Sequence, residues 1–246
     1  MKKICSGLLL VLLLLAAPIT ALALESAGCR ITADTAAALP GDRVTVPVRI
    51  SGNPGFTNFA ITVNYDSAAL QLESIDTAGT EDVPYLCPAV SSVNTAYTAV
   101  EGGSPCAFVA AAAPKSVEGD GILFALHFTV CSESAATVEI EPKIQYLRCA
   151  DALSSVFTAL TASAEKGAVE VAVKGDVDAD GSIGDSDAAY VYSYINEAGT
   201  LSDRERAAAD VNGDGMVDTT DAALIYRFSH DTLSDFPQSV TEEVTE

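Results

Sequence analysis

Two twelve-residue stretches, DVDADGSIGDSD at 176–187 and DVNGDGMVDTTD at 210–221, constrain this chain more than any other feature. They begin thirty-four residues apart, and each carries acidic or amide side chains at positions 1, 3 and 5, a glycine at 6 and an aspartate at 12. A hard divalent cation needs six or more oxygens at about 2.3–2.6 Å, and alternate side chains of a tight loop converge on one point when a glycine permits the turn. The pattern therefore predicts two calcium ions. The ligands are Asp176, Asp178, Asp180, the backbone carbonyl of Ser182, and Asp187 in the first loop. In the second they are Asp210, Asn212, Asp214, the carbonyl of Met216, Asp218 and Asp221. Position 9 is Gly184 in the first loop and Asp218 in the second, so the first is expected to bind more weakly or with more water.

Each loop runs into a helical pattern. Asp187–Ile195 aligns with Asp221–Ser229 at the same offset, which places Val191 with Ile225 and Tyr194 with Phe228 on matching faces. Between the repeats, Ser202 and Glu205 form a capping-box signature for a short linking helix reaching about Ala208. No helical pattern precedes Asp176, so each unit is half of an EF-hand. Without a cation about ten carboxylates and amides would crowd a small core, and calcium is expected to be required for folding.

Upstream, the periodicity changes to that of strands. Val44, Val46, Val48 and Ile50 alternate with polar residues, and Phe59, Ile61, Val63 and Tyr65 alternate with Asn58, Ala60, Thr62 and Asn64. Further strands are expected at Leu70–Ile75, Asn94–Val100, Cys106–Ala112, Gly121–Val130, Thr137–Glu141, Ile144–Arg148 and Ala168–Val173. Short, evenly spaced strands without intervening helices indicate an antiparallel β-sandwich. The fold class is thus a two-domain chain, an all-β sandwich of jelly-roll type followed by a small all-α domain of duplicated half EF-hands. Leu123, Ala125 and His127 give Gly121–Val130 an unusually apolar second row, and the outward row Asn58, Ala60 and Thr62 carries no charge. If the two strands are neighbours, they form a flat patch suited to a protein partner; burial beneath a loop is the other reading.

Lys2 and Lys3 precede an apolar run from Gly7 to Ala17 and an Ala21-Leu22-Ala23 cleavage pattern, the organisation of a signal peptide at 1–23. The expected division is then 24–173 for the sandwich, 174–237 for the helical domain and 238–246 for an acidic disordered tail, in a protein that is secreted and extracellular. The formal net charge of −21 disfavours nucleic acid as a partner, and no membrane span is expected in the mature chain. Five cysteines remain: Cys29, Cys87, Cys106, Cys131 and Cys149. Their spacing fits no zinc pattern and leaves connectivity open between bridges and free thiols, with Cys87–Cys106 one candidate. No nucleophile-elbow serine or paired-histidine constellation is present, so no enzyme is expected.

The duplicated DxDxDG and DxNxDG loops with their helices resemble a dockerin over about Gly175–Pro237. PGDRVTVPVRISG, NFAITVNYDSAAL, GDGILFALHFTV and GAVEVAV, in that order, resemble a cohesin across most of 29–173. That resemblance implies an adaptor scaffoldin of a cellulosome-like, polysaccharide-degrading complex associated with the cell surface. Its cohesin would receive dockerin-bearing enzymes or proteins, and its dockerin would dock onto the cohesin of another scaffoldin. It also implies that Asp185, Ser186, Thr219 and Thr220, at loop positions 10 and 11, read the partner, with Tyr192 and Tyr226 nearby. On the cohesin side it points to the sheet expected to contain Asn58–Asn64 and Gly121–Val130, hence Asn58, Ala60, Thr62, Leu123, Ala125 and His127. The alternative is a secreted carbohydrate-binding sandwich docked through its dockerin; the absence of tryptophan leaves Tyr85, Tyr97 and Tyr146 as its only evident sugar platforms. Only Lys174 and Gly175 separate Val173 from Asp176, so the two domains are expected to be held close.

Overall fold

The computed structural model describes residues 28–98, 103–150, 156–197 and 199–237; the expected signal peptide and acidic tail lie outside them. Among the described residues twelve strands and three helices follow in order: β1 Cys29–Ala33, β2 Ala36–Ala38, β3 Arg43–Ser51, β4 Phe56–Asn64, β5 Leu70–Asp76 and β6 Val90–Tyr97. They continue with β7 Cys106–Val117, β8 Gly121–Val130, β9 Ala136–Ala150, β10 Phe157–Ala159, β11 Ala162–Glu165 and β12 Gly167–Val171. The helices are α1 Asp185–Glu197, α2 Asp203–Ala209 and α3 Thr219–Ser229.

Alternating apolar residues make two facing sheets because each strand has one row to bury. One sheet has the order β11-β1-β3-β8-β5, the other β2-β12-β9-β4-β7-β6, with β10 paired to β9. Most pairings are antiparallel; β1–β11 and β12–β2 are parallel. Between the sheets lie Phe56, Phe59, Phe124 and Phe128, all fully buried, with Phe59 stacked on Phe124 across the gap at 6.5 Å.

Three expectations change. The strand expected at Asn94–Val100 lies earlier, at Val90–Tyr97, while 99–102 fall outside the described residues. The strands expected at Thr137–Glu141 and Ile144–Arg148 are one continuous strand, β9, running through Pro142. Cys87 is a free, half-buried thiol, so a Cys87–Cys106 bridge is not formed; the Cys106 thiol donates to the Tyr97 carbonyl.

A second core of Val177, Ala188, Val191, Ala208, Ala209, Val211, Ala222 and Ile225 holds the helices together, with Tyr194 and Phe228 packed against it. α1 packs on α3, as the repeat predicts. Ser202 caps α2: its side chain accepts from the Glu205 N–H while the Glu205 carboxylate accepts from the Ser202 N–H, the full capping box. Among the described residues no helix is long and apolar enough to cross a membrane.

Candidate functional site

The first loop is organised from its last residue. Asp187 is fully buried, and its carboxylate accepts from the backbone N–H groups of Val177 (2.7 Å), Asp178 (3.1 Å) and Gly184 (2.8 Å). Those bonds fold the loop back onto α1. Gly181 takes φ +88° and donates to Asp176 Oδ2 at 3.2 Å, meeting the requirement for a glycine at position 6. Single ligand oxygens of Asp176, Asp178 and Asp187 lie within 4.8 Å of one another. Asp176 is 2 % exposed, and its Oδ1 is buried without a hydrogen-bond partner. Burial, followed by repulsion from Asp187 and its neighbours, pushes the Asp176 carboxyl above the ordinary carboxylate range. A buried, unpartnered acceptor among converging carboxylates fits a hard cation, which would supply the missing positive charge.

The second loop repeats the scaffold with a different interior. Asp221, also fully buried, accepts from Val211 (3.0 Å), Asn212 (3.3 Å) and Asp218 (3.0 Å), and burial pushes its carboxyl upward. Asp210 accepts from Gly213, Asp214 and Gly215, while the Asn212 amide donates to Asp214 Oδ2 at 2.9 Å. Met216 is 62 % exposed, and its soft thioether does not suit a hard cation, which leaves its backbone carbonyl for a ligand role. Position 4 shows one cost of the duplication: Gly213 takes φ +72°, whereas its counterpart Ala179 is held at φ +60°, a conformation costing an L-residue about 1 kcal/mol.

The residues expected to read the partner are all exposed: Asp185, Ser186, Thr219 and Thr220, with Tyr192 (58 %) and Tyr226 (51 %). Because α1 and α3 are paired, the start of α1 meets the end of α3: Ser229 Oγ donates to Asp185 Oδ1 at 3.1 Å, and the His230 ring lies 3.5 Å from the same oxygen. His230 also packs on the Tyr226 ring at 4.2 Å. Ser229 and His230 were not evident from the loop motif; the i,i+4 spacing of Tyr226 and His230 was the available signal.

On the sandwich, the expected patch divides. β4 lies between β9 and β7, whereas β8 lies between β3 and β5 in the opposite sheet. Asn58, Ala60 and Thr62 therefore share no face with Leu123, Ala125 and His127. Leu123 and Ala125 are fully buried and offer nothing to a partner. The β3 pairing jumps from Phe124 to Ile122, which bulges Leu123 into the core, and the segment after β5 folds over this end, with the Leu86 N–H donating to the Ile122 carbonyl at 2.7 Å. His127 is half-buried and hydrogen-bonded to Thr45 at 2.9 Å.

The β4 row has different neighbours. Asn58 and Ala60 face Ala112 and Ala110 of β7 and Arg148 and Tyr146 of β9. Thr62 faces Phe108 and accepts from the Gln145 amide at 3.0 Å. Ala60 (2 %) and Thr62 (3 %) are buried, and the Arg148 guanidinium sits 4.7 Å above the Tyr146 ring. Asn58 Oδ1 is buried with no partner. Sequence reading missed β7 and β9 as contributors because strand pairing is a long-range property.

A β-sandwich joined to a pair of acidic loops with packed helices defines a two-module chain. A family model described as a cohesin domain matches residues 29–171, and one described as a dockerin type I domain matches residues 174–228. The chain belongs to the cohesin family, and its cohesin domain is followed by a dockerin type I domain. The seventh ScaB type I cohesin of Pseudobacteroides cellulosolvens superposes with a TM-score of 0.50 at 17% identity, covering 59% of this chain and 92% of that one. A non-cellulosomal cohesin of Archaeoglobus fulgidus gives 0.47 at 17% identity, covering 59% and 91%. A chain of a type I cohesin–dockerin complex from Clostridium thermocellum gives 0.46 at 20% identity, covering 58% and 99%. No curated protein matches the chain. Cohesin and dockerin domains are non-catalytic interaction domains that bind one another and typically belong to extracellular cellulosomes, and dockerin type I domains bind calcium. With one of each, the chain is an adaptor.

Proposed function

We propose that this chain is a secreted, non-catalytic scaffoldin that couples a dockerin-bearing enzyme to a larger scaffold. The β9-β4-β7-β6 face receives the incoming dockerin, and the orphaned Asn58 Oδ1 at its centre carries this assignment: a buried acceptor without a partner costs about 1–3 kcal/mol until a donor reaches it. A hydroxyl or amide of the incoming module supplies that donor. Ala60, Ala110 and Ala112 keep the middle of the face low, while Phe108, Tyr146 and Arg148 provide anchors of the kinds that concentrate binding energy.

The dockerin presents Asp185, Ser186, Tyr192, Thr219, Thr220 and Tyr226 to the scaffold's cohesin. Two calcium ions hold that surface in shape, one on Asp176, Asp178, Asp180, Ser182 and Asp187 and the other on Asp210, Asn212, Asp214, Met216, Asp218 and Asp221. The first, lacking a side chain at Gly184, binds more weakly. Asp185 is engaged with Ser229 and His230 while Thr219 occupies the equivalent position of the repeat, so the two halves of the face differ chemically and favour one docking orientation.

The test immobilises the full chain and passes over it, separately, dockerin-bearing enzymes and isolated scaffold cohesins, with calcium and with chelator. Both should bind in calcium, simultaneously, and the cohesin should be released by chelator. Retention of polysaccharide by the chain with capture of neither module would replace this reading with a carbohydrate-binding one.

A further inference from the structure

The short helix α2 contacts both acidic loops and α1 in the second domain and β2 in the first. Its first turn reaches the first loop, where Arg204 Nη2 donates to the Val177 carbonyl at 2.8 Å, and α1, where the Glu205 carboxylate accepts from the Tyr190 hydroxyl at 2.7 Å. Its last turn accepts from the Gly175 N–H through the Ala208 carbonyl at 2.8 Å. Asp210, the first ligand position of the second loop, is its C-cap and donates to the Arg206 carbonyl. The helix also packs on β2, the edge strand of the cohesin sheet.

The two hydrophobic cores are joined at the same place. Ala172 is fully buried, and although it directly follows β12 its side chain belongs to the helical core; Leu39, directly after β2, packs against that core as well. The Ala172 N–H donates to the Ala38 carbonyl at 2.9 Å, so the residues that enter the dockerin core also close the β2–β12 ladder. A three-residue edge strand paired on one side is a weak element by itself. Here α2 covers it.

We propose that α2 couples the cation loops to the cohesin sheet, so that calcium binding in the dockerin locks the β2–β12 edge and the two domains behave as one rigid, calcium-set unit. The coupling follows from shared atoms: a cation that orders 176–187 fixes the Val177 carbonyl and the Gly175 amide, both bonded to α2, and α2 in turn fixes β2 through Leu39 and Ala172. This rests on the calcium reading above and adds that the metal's effect does not stop at the domain boundary. It also sets the angle between the two docking faces, which a flexible tether would leave free.

Hydrogen exchange on the full chain, with calcium and with chelator, tests the coupling. Calcium should slow exchange of the loop amides and, by about tenfold or more, of the Ala172 amide and the β2–β12 ladder amides. Leu39→Ser, at a half-buried position, should leave the loop response intact and abolish the response at β12. Protection that rises in both loops but ends at Gly175 in the unsubstituted chain overturns the coupling while leaving calcium binding standing. No response in either loop overturns the calcium reading and the coupling with it.

Discussion

Replacing Asp187 tests how much of the dockerin's stability rests on one carboxylate. Asp187→Ala removes the acceptor for three N–H groups, of which the Val177 donor lies in a fully buried bond and the Asp178 and Gly184 donors in partly exposed ones. Leaving the first unpaired costs about 1–3 kcal/mol, and the other two about 0.5–1.5 kcal/mol each because water can reach them. The sum, about 2–6 kcal/mol, reaches at its upper end the whole stability of a small domain before any loss of cation binding is counted. Asp187→Asn separates the two effects. Its carbonyl can retain the bonds that Oδ1 makes to Val177 and Asp178, so only the Gly184 contact is lost, about 0.5–1.5 kcal/mol, while the charge offered to the cation disappears. Urea unfolding followed by helical ellipticity should place the alanine variant at the edge of unfolding even in saturating calcium. The asparagine variant should stay close to the parent in chelator and gain little from calcium. An alanine variant within about 0.5 kcal/mol of the parent in calcium would refute the reasoning, because buried donors cannot lose their acceptor at so small a cost.

Other consequences are open to direct measurement. Ala112→Glu places a charge on an exposed residue opposite Asn58 and should weaken capture of a dockerin by about tenfold or more without changing the unfolding midpoint of the sandwich; unchanged affinity would remove the β9-β4-β7-β6 face from consideration. Phe236 is 8 % exposed and stacks on Phe228 at 4.8 Å, so Phe236→Ala should destabilise the dockerin by about 3 kcal/mol in thermal or chemical unfolding. Burial pushes the Cys87 thiol up to about 11, leaving roughly one molecule in a thousand as thiolate at pH 8. Iodoacetamide should therefore modify the exposed Cys131 well before Cys87, as peptide mapping over time would show, and equal rates would mean that Cys87 is not buried.

What could be read from the sequence followed the range of the interactions. The acidic loops are local: Asp176, Asp178 and Asp187 converge within one short segment, so residue types and spacing suffice to show them. The capping box at Ser202 and Glu205 was legible for the same reason. Strand partners are not local. The apolar second row of β8 was visible, yet it reflects a central strand bulged at Leu123 and covered by the segment bearing Leu86, and no spacing along β8 states which neighbours it has. β9 is instructive, because Pro142 makes it look like two strands. The β12 ladder ends at Ile140 and the β4 ladder takes over from Glu141, so the proline falls where β9 exchanges one neighbour for another and its missing N–H removes no bond from the β12 side. The short strands β2, β10 and β11 carry no alternation long enough to register, and they exist because longer strands offer them an edge.

The antiparallel ladder between β9 and β12 has a mechanical meaning. An adaptor held at its sandwich by one partner and at its helices by another carries tension through the backbone between Val171 and Asp176. That tension pulls β12 along its own axis, against hydrogen bonds that lie across the strand to β9 on one side and to β2 on the other. Loaded in this way, the bonds share the force and must yield together, as in a lap joint, whereas a hairpin peeled from its end would open bond by bond. The strand nearest the junction is thus placed to resist being drawn out by the load the protein transmits.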